Sequence, residues 1–245
     1  MVQLSKWRHR AKVSLLGVRQ RLATARRPEV RYQDMFGKTL QALVSRYRPQ
    51  RILEIGSWDG SGSTFCLLRK MYYVPEFLHC VEINPEKANL IQKFIVPRFP
   101  FVEVHCCSSV SYEQWCFKDF NRDLWDSLTV HEQQIANHQR YLSFWEGDRN
   151  VLLNSKTPAY FDKYPDQFYD LVVIDGAEFT AIDEYRLLNK RFNIIALDDV
   201  FHSFKCSRLY EDLIRDSDFE LIGASQLVRK GFAAFARKGL KPCAS

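Results

Sequence analysis

The chain has 245 residues, 35 Lys and Arg against 29 Asp and Glu for a net charge of +6, and 46% hydrophobic with 14% aromatic residues. That composition excludes a disordered tail and is long enough to bury one sizeable core, while no stretch approaches the roughly 20 charge-free apolar residues of a membrane span. The seven cysteines, odd in number and without Cys-x-x-Cys or Cys/His spacing, argue against a disulfide scaffold or zinc site and for reduced thiols in a cytosolic setting.

The charge is unevenly placed. Residues 1–31 hold nine basic side chains and one acid, Glu29, while the remaining 214 carry 26 basic and 28 acidic groups. A near-neutral globule therefore follows a basic arm, and the overall charge says little about partners. In the arm, Leu4, Trp7, Ala11, Leu15, Val18, Leu22 and Ala25 recur at steps of three and four, one stripe of a helix. Three readings stay open: packing on the body or on a second subunit in a homo-oligomer, peripheral contact with an anionic membrane, or a mitochondrial presequence.

A second amphipathic segment spans about residues 33–47 and stops before Pro49. Arg51–Ile55 is a short strand that breaks into the glycine-rich run Gly56-Ser57-Trp58-Asp59-Gly60-Ser61-Gly62, and residues 63–71 read as a helix. Residues 77–83 form a second strand and 85–94 a second helix. Residues 169–174 and 193–197 are two more strands ending in acid, joined by a helix over 182–190, and 219–222 with 232–236 read as a closing antiparallel pair. Apolar strands without polar alternation, separated by helices, imply an α/β fold with a mostly parallel, doubly wound sheet covered on both faces. The region 101–150 is less regular: 102–106 and 141–145 are strand candidates, with a helical insertion over about 107–140. The expected organisation is an arm over 1–31 and one domain over 32–245.

In such sheets ligands bind at the carboxyl ends of the strands, where this sequence places its glycines and acids. The spacing after the first strand is GxxxGxG rather than the GxGxxG of a dinucleotide site, with Glu54 two residues ahead of Gly56. An acid there repels a pyrophosphate and suits a cationic amino-acid group. Glu82, ending the next strand, suits two ribose hydroxyls as a bidentate acceptor.

On RILEIGSWDGSGST and CVEIN the sequence resembles the class I S-adenosylmethionine-dependent methyltransferases, over about residues 33–236. The resemblance implies a Rossmann-like seven-stranded sheet with an antiparallel C-terminal strand. It implies that Gly56, Ser57, Trp58, Gly60 and Ser61 line the methionine part of the cofactor, with Glu54 beside it. Glu82 would hold the ribose, with Ile83 next to it. A polar residue after the third strand would contact adenine: Asp148 in Gly147-Asp148-Arg149 is favoured, with Ser108 or Ser109 the rival.

Asp175, Asp198 and Asp199 stand at the ends of two strands, where converging acids repel unless protonated or bridged by a cation. Oxygen-only ligands suit Mg²⁺ or Ca²⁺. In this the sequence resembles the cation-dependent O-methyltransferases of the catechol, caffeoyl-coenzyme A, macrocin and sugar types, which implies a metal on Asp175, Asp198 and Asp199. The catechol enzymes carry a lysine base three residues past the first metal acid, where relatives with Ile-Asp-Gly often carry histidine and this chain has Glu178. His202 is then the substitute base, with Glu178 the runner-up, and Asp175 is expected both to be catalytic and to contact the cofactor. Plainer roles stay open beside these: Asp175 as a turn residue, Asp198-Asp199 capping a helix over 200–210, and His202 as an ordinary packed histidine.

The expected function is metal-assisted methylation of a hydroxyl on a small molecule or sugar, in the cytoplasm, with no nucleic-acid partner. The alternatives are a metal-independent methyltransferase with His202 as base, and a non-catalytic module docked by its basic arm.

Overall fold

Asp34 opens the first helix: its carboxylate accepts the Gly37 N–H at 2.7 Å, and helix α1 runs over Met35–Tyr47. Phe36, Leu40, Leu43 and Val44 form its buried stripe, each contributing about 1.5–3 kcal/mol by leaving water. Arg48 turns left-handed at φ 46° and Pro49 prevents continuation. The computed structural model describes residues 30–119, 138–201, 204–228 and 230–243. The arm expected over 1–31 lies outside these residues except for its last two. The central part of the 107–140 insertion and His202 also lie outside them.

Strand and helix then alternate: β1 Arg51–Ile55, α2 Ser63–Arg69, β2 Phe77–Val81, α3 Pro85–Phe94, β3 Val102–His105, α4 His138–Asn154, α5 Tyr160–Lys163, β4 Tyr169–Ile174, α6 Ala181–Leu188, β5 Phe192–Asp198, α7 Ser207–Arg215, β6 Phe219–Ser225 and β7 Phe232–Arg237. The sheet order is β3-β2-β1-β4-β5-β7-β6. The first five strands are mutually parallel, and β7 runs antiparallel between β5 and β6. β1 is flanked by β2 and β4, so the chain switches direction beside it, and a crevice opens above the carboxyl ends.

Successive strand residues face opposite sides. Leu53 and Ile55 join Val172, Ile174, Ile195 and Leu197 under α4 to α7. Ile52 joins Leu78, Cys80, Val173 and Ile194 under α1 to α3. Both faces are covered, which is why the strands lack polar alternation. All seven cysteines are free thiols. Among the described residues no helix is long and apolar enough to cross a membrane.

Two local expectations are corrected. Residues 141–145 are helical, within α4, where Tyr141, Phe144 and Trp145 pack at steps of three and one against the core. The helix expected over 200–210 begins at Ser207, so neither Asp198 nor Asp199 caps it.

Candidate active site

The turn after β1 is built on close backbone contact. Gly56 has φ 85°, and a Cβ there would lie 2.2 Å from the carbonyl oxygen of Asp175. No other residue type fits that point without a shift. Gly56 and Ser57 donate their N–H groups to the Val81 carbonyl at 3.0 and 3.3 Å, and the Asp175 N–H donates to Ile55 at 2.9 Å. Three strand ends are thereby fastened together. Gly60, at φ 79°, packs instead against Ile95 of the α3 side, and the Ser61 N–H donates to Asp59 at 3.0 Å. Gly56, Ser57, Trp58, Gly62 and Ser63 line a cavity of about 450 Å³; Gly60 and Ser61 shape the turn without lining it.

Glu54 also lies beneath the cavity rather than in its wall. It is fully buried, and its Oε2 accepts the Thr64 hydroxyl at 2.6 Å, tying β1 to α2. Burial raises its pKa, opposed by the hydroxyls of Ser63, Thr64 and Ser57. Its Oε1 makes no hydrogen bond among the described residues.

Glu82 does line the cavity. Its Oε2 accepts the Trp58 N–H at 2.7 Å and its Oε1 the Asn84 N–H at 2.8 Å. Burial raises its pKa, and these two backbone donors counter the rise. Each oxygen keeps a second lone pair, enough for a vicinal diol. Ile83 and Trp58 stand at the exposed rim, with Lys87 Nζ 4.4 Å from the Trp58 ring.

The other end of the cavity is acidic around one ammonium. Lys205 is buried, and its Nζ donates to Asp175 Oδ1 at 3.1 Å and to Asp199 Oδ2 at 3.3 Å. Desolvation alone would lower its pKa, but the charges of Asp175, Asp199 and Asp198 together hold it well above the ordinary lysine value. Asp175, Asp199 and Lys205 line the cavity; Asp198 is buried and does not. The three acids expected to hold a metal are thus divided, two at the cavity and one beneath. A divalent ion on Asp175 Oδ1 and Asp199 Oδ2 would lie within a few ångströms of a buried ammonium, a strong like-charge repulsion at low dielectric. The residues as placed do not fit such an ion.

Glu178 lines the cavity beyond Asp175. Asp148 does too, although it sits in the middle of α4 and not after the third strand. The Phe179 N–H donates to its Oδ2 at 3.3 Å; burial first, and then the charge of Glu178, push its pKa up to about 7. The loop after β3 brings Ser108 and Ser109 to the same wall. Ser109 donates its hydroxyl to Glu184 Oε1 at 2.6 Å, and Thr180 donates to the same oxygen at 2.8 Å.

Sequence reasoning missed Lys205, Glu184 and Val30. The signal for Lys205 was its isolation, since no other Lys or Arg stands between Arg191 and Arg208. Glu184 forms no motif, but it is a wholly buried carboxyl whose pKa burial raises, against the Ser109 and Thr180 hydroxyls. Val30, at the end of the arm, is buried in the cavity wall and carried no chemical signature at all.

The strand order, with β7 reversed between β5 and β6 and a glycine turn and acid at the ends of β1 and β2, defines the Rossmann-like fold of the class I methyltransferases. Comparison with solved structures agrees. The chain is similar to an O-methyltransferase from Bacillus cereus in complex with SAH, at 18% identity and TM-score 0.57, covering 92% of this chain and 91% of that one. It is similar to the O-methyltransferase TomG from Streptomyces achromogenes, involved in tomaymycin synthesis and solved with SAM, at 19% identity and TM-score 0.55 over 92% and 90% of the chains. It is also similar to the SAH-bound methyltransferase PaMTH1 from Podospora anserina, at 13% identity and TM-score 0.54 over 94% and 88%. No protein-family model and no curated protein matches the sequence.

Proposed function

We propose that the protein is an S-adenosylmethionine-dependent O-methyltransferase that acts on a hydroxyl of a small molecule, sugars included. The observation that carries this is one cavity lined by a carboxylate with spare lone pairs, Glu82, beside a glycine turn, and by an acid–ammonium cluster of Asp175, Asp199 and Lys205. The O-methyltransferases that share the fold, one in complex with SAH and one with SAM, support the cofactor and the acceptor atom.

In this reading Glu82 takes the ribose hydroxyls, Gly56, Ser57 and Trp58 lie along the amino-acid part, and Ser108, Ser109 and Asp148 face the base. When bound, S-adenosylmethionine supplies a sulfonium methyl: a C–O bond forms to the acceptor as the C–S bond breaks, its electron pair staying on sulfur. Asp175 and Asp199 orient the acceptor hydroxyl, and Glu178 takes its proton. His202, the first candidate for that role by sequence, lies outside the described residues. No step runs through a divalent ion.

The test is methyl transfer from labelled S-adenosylmethionine to a panel of catechols, other phenols, sugars and amines. We expect label on oxygen, and a loss of about 10²-fold or more in kcat for Glu178→Gln. Label found only on nitrogen or carbon acceptors, or unchanged turnover in Glu178→Gln, would overturn the acceptor and base assignments respectively.

A further inference from the structure

Lys205 is held in place from both sides. Phe204 packs in the core, stacked on Phe179 with ring centroids 5.0 Å apart and edge-on to Tyr141, and Cys206 is fully buried. Upstream, the segment leaving β5 is tied to the approach to β7 by the Val200 N–H to Gly231 at 3.3 Å and the Phe201 N–H to Lys230 at 2.9 Å. The lysine stem therefore cannot swing freely to the surface, and the side chain is only 6% exposed.

Its two partners come from adjacent parallel strands, β4 and β5, whose ends bring Asp175 and Asp199 to one wall. Two carboxylates so close repel unless a cation lies between them, and a buried ammonium persists only when it is paired. Each requirement is met by the other. A hard divalent ion would have to share the two carboxylates that Lys205 already engages, within a few ångströms of its ammonium.

We propose that Lys205 is a resident cation in the place that the sequence resemblance gives to a divalent metal, so that this chain binds no divalent ion at Asp175 and Asp199. Resting on the methyltransferase reading above, the same ammonium then faces the acceptor oxygen and stabilises the negative charge that grows there as the proton leaves. The site does with a side chain what the sequence resemblance assigns to an ion.

The test uses Mn²⁺, followed by its paramagnetic signal, on chelator-treated full-length chain with the natural sequence and with Lys205→Met, Lys205→Arg and Asp199→Asn. SAH binding is measured on the same samples. We expect the natural chain and Lys205→Arg to bind no Mn²⁺ that Asp199→Asn removes. Lys205→Met should bind one Mn²⁺ at least about tenfold more tightly than the natural chain, and lose it when Asp199→Asn is added. One Mn²⁺ bound by the natural chain and weakened by Asp199→Asn overturns the proposal, as does a folded Lys205→Met that gains no site. If Lys205→Met does not fold, the natural chain and Lys205→Arg decide alone. Absent SAH binding counts against the methyltransferase reading, and the Mn²⁺ comparison still judges Lys205.

Discussion

Gly56 and Asp175 meet backbone to backbone on the floor of the cavity, so close that a Cβ on the glycine would stand 2.2 Å from the Asp175 carbonyl oxygen. The contact couples the glycine turn after β1 to the acidic end of β4. It makes both halves of the site depend on one residue having no side chain.

Gly56→Ala is therefore expected to destabilise the fold by about 1–3 kcal/mol from backbone strain alone, with further loss as β1 and β4 separate. Denaturant unfolding gives the first quantity. SAH affinity measured on the folded fraction should fall as well; an unchanged affinity would show that the turn tolerates the separation.

Asp148 gives a pH dependence with a definite sign. Its pKa rises from an ordinary 3.8 to about 7 on folding, so between those values the folded chain holds a proton that the unfolded chain has lost. Stability from this group is full below about pH 4 and falls as pH rises through about 7. Asp148→Asn, which keeps an acceptor for the Phe179 N–H, should lose less stability than the natural chain between pH 5 and pH 8. Parallel urea curves for the two chains across that range would contradict the assignment.

Ser109 supports Glu184, whose Oε2 makes no hydrogen bond among the described residues. Removing the hydroxyl with Ser109→Ala leaves Thr180 as the donor to Oε1 and should cost about 1 kcal/mol or more. Urea unfolding checks this, and Ser109→Thr, if accommodated, should restore part of the loss.

The sheet and the glycine-turn side of the cavity were legible because they are local. Apolar five- to seven-residue runs bounded by turn residues mark β1, β2, β4 and β5, and Glu82 ends a strand in plain view. The acidic side was legible only in part. Asp198 ends β5 and Asp199 turns left-handed at φ 55°, so the chain leaves the strand between them and only Asp199 lines the cavity. Tyr141, Phe144 and Trp145 already had helical spacing, but the aromatic run with its bulk also fits a strand. Lys205 could not be placed because its partners lie 30 and six residues away, and its role is set by how the loop after β5 folds back over them.

Calorimetric binding of SAH to the full chain and to Glu82→Ala is the most direct test of the central claim. We expect one site in the natural chain and an affinity lower by about 10²-fold or more in Glu82→Ala, equivalent to about 3 kcal/mol for two lost hydrogen bonds to a charged acceptor. No SAH binding by the folded natural chain, or equal affinity in the two chains, would contradict it.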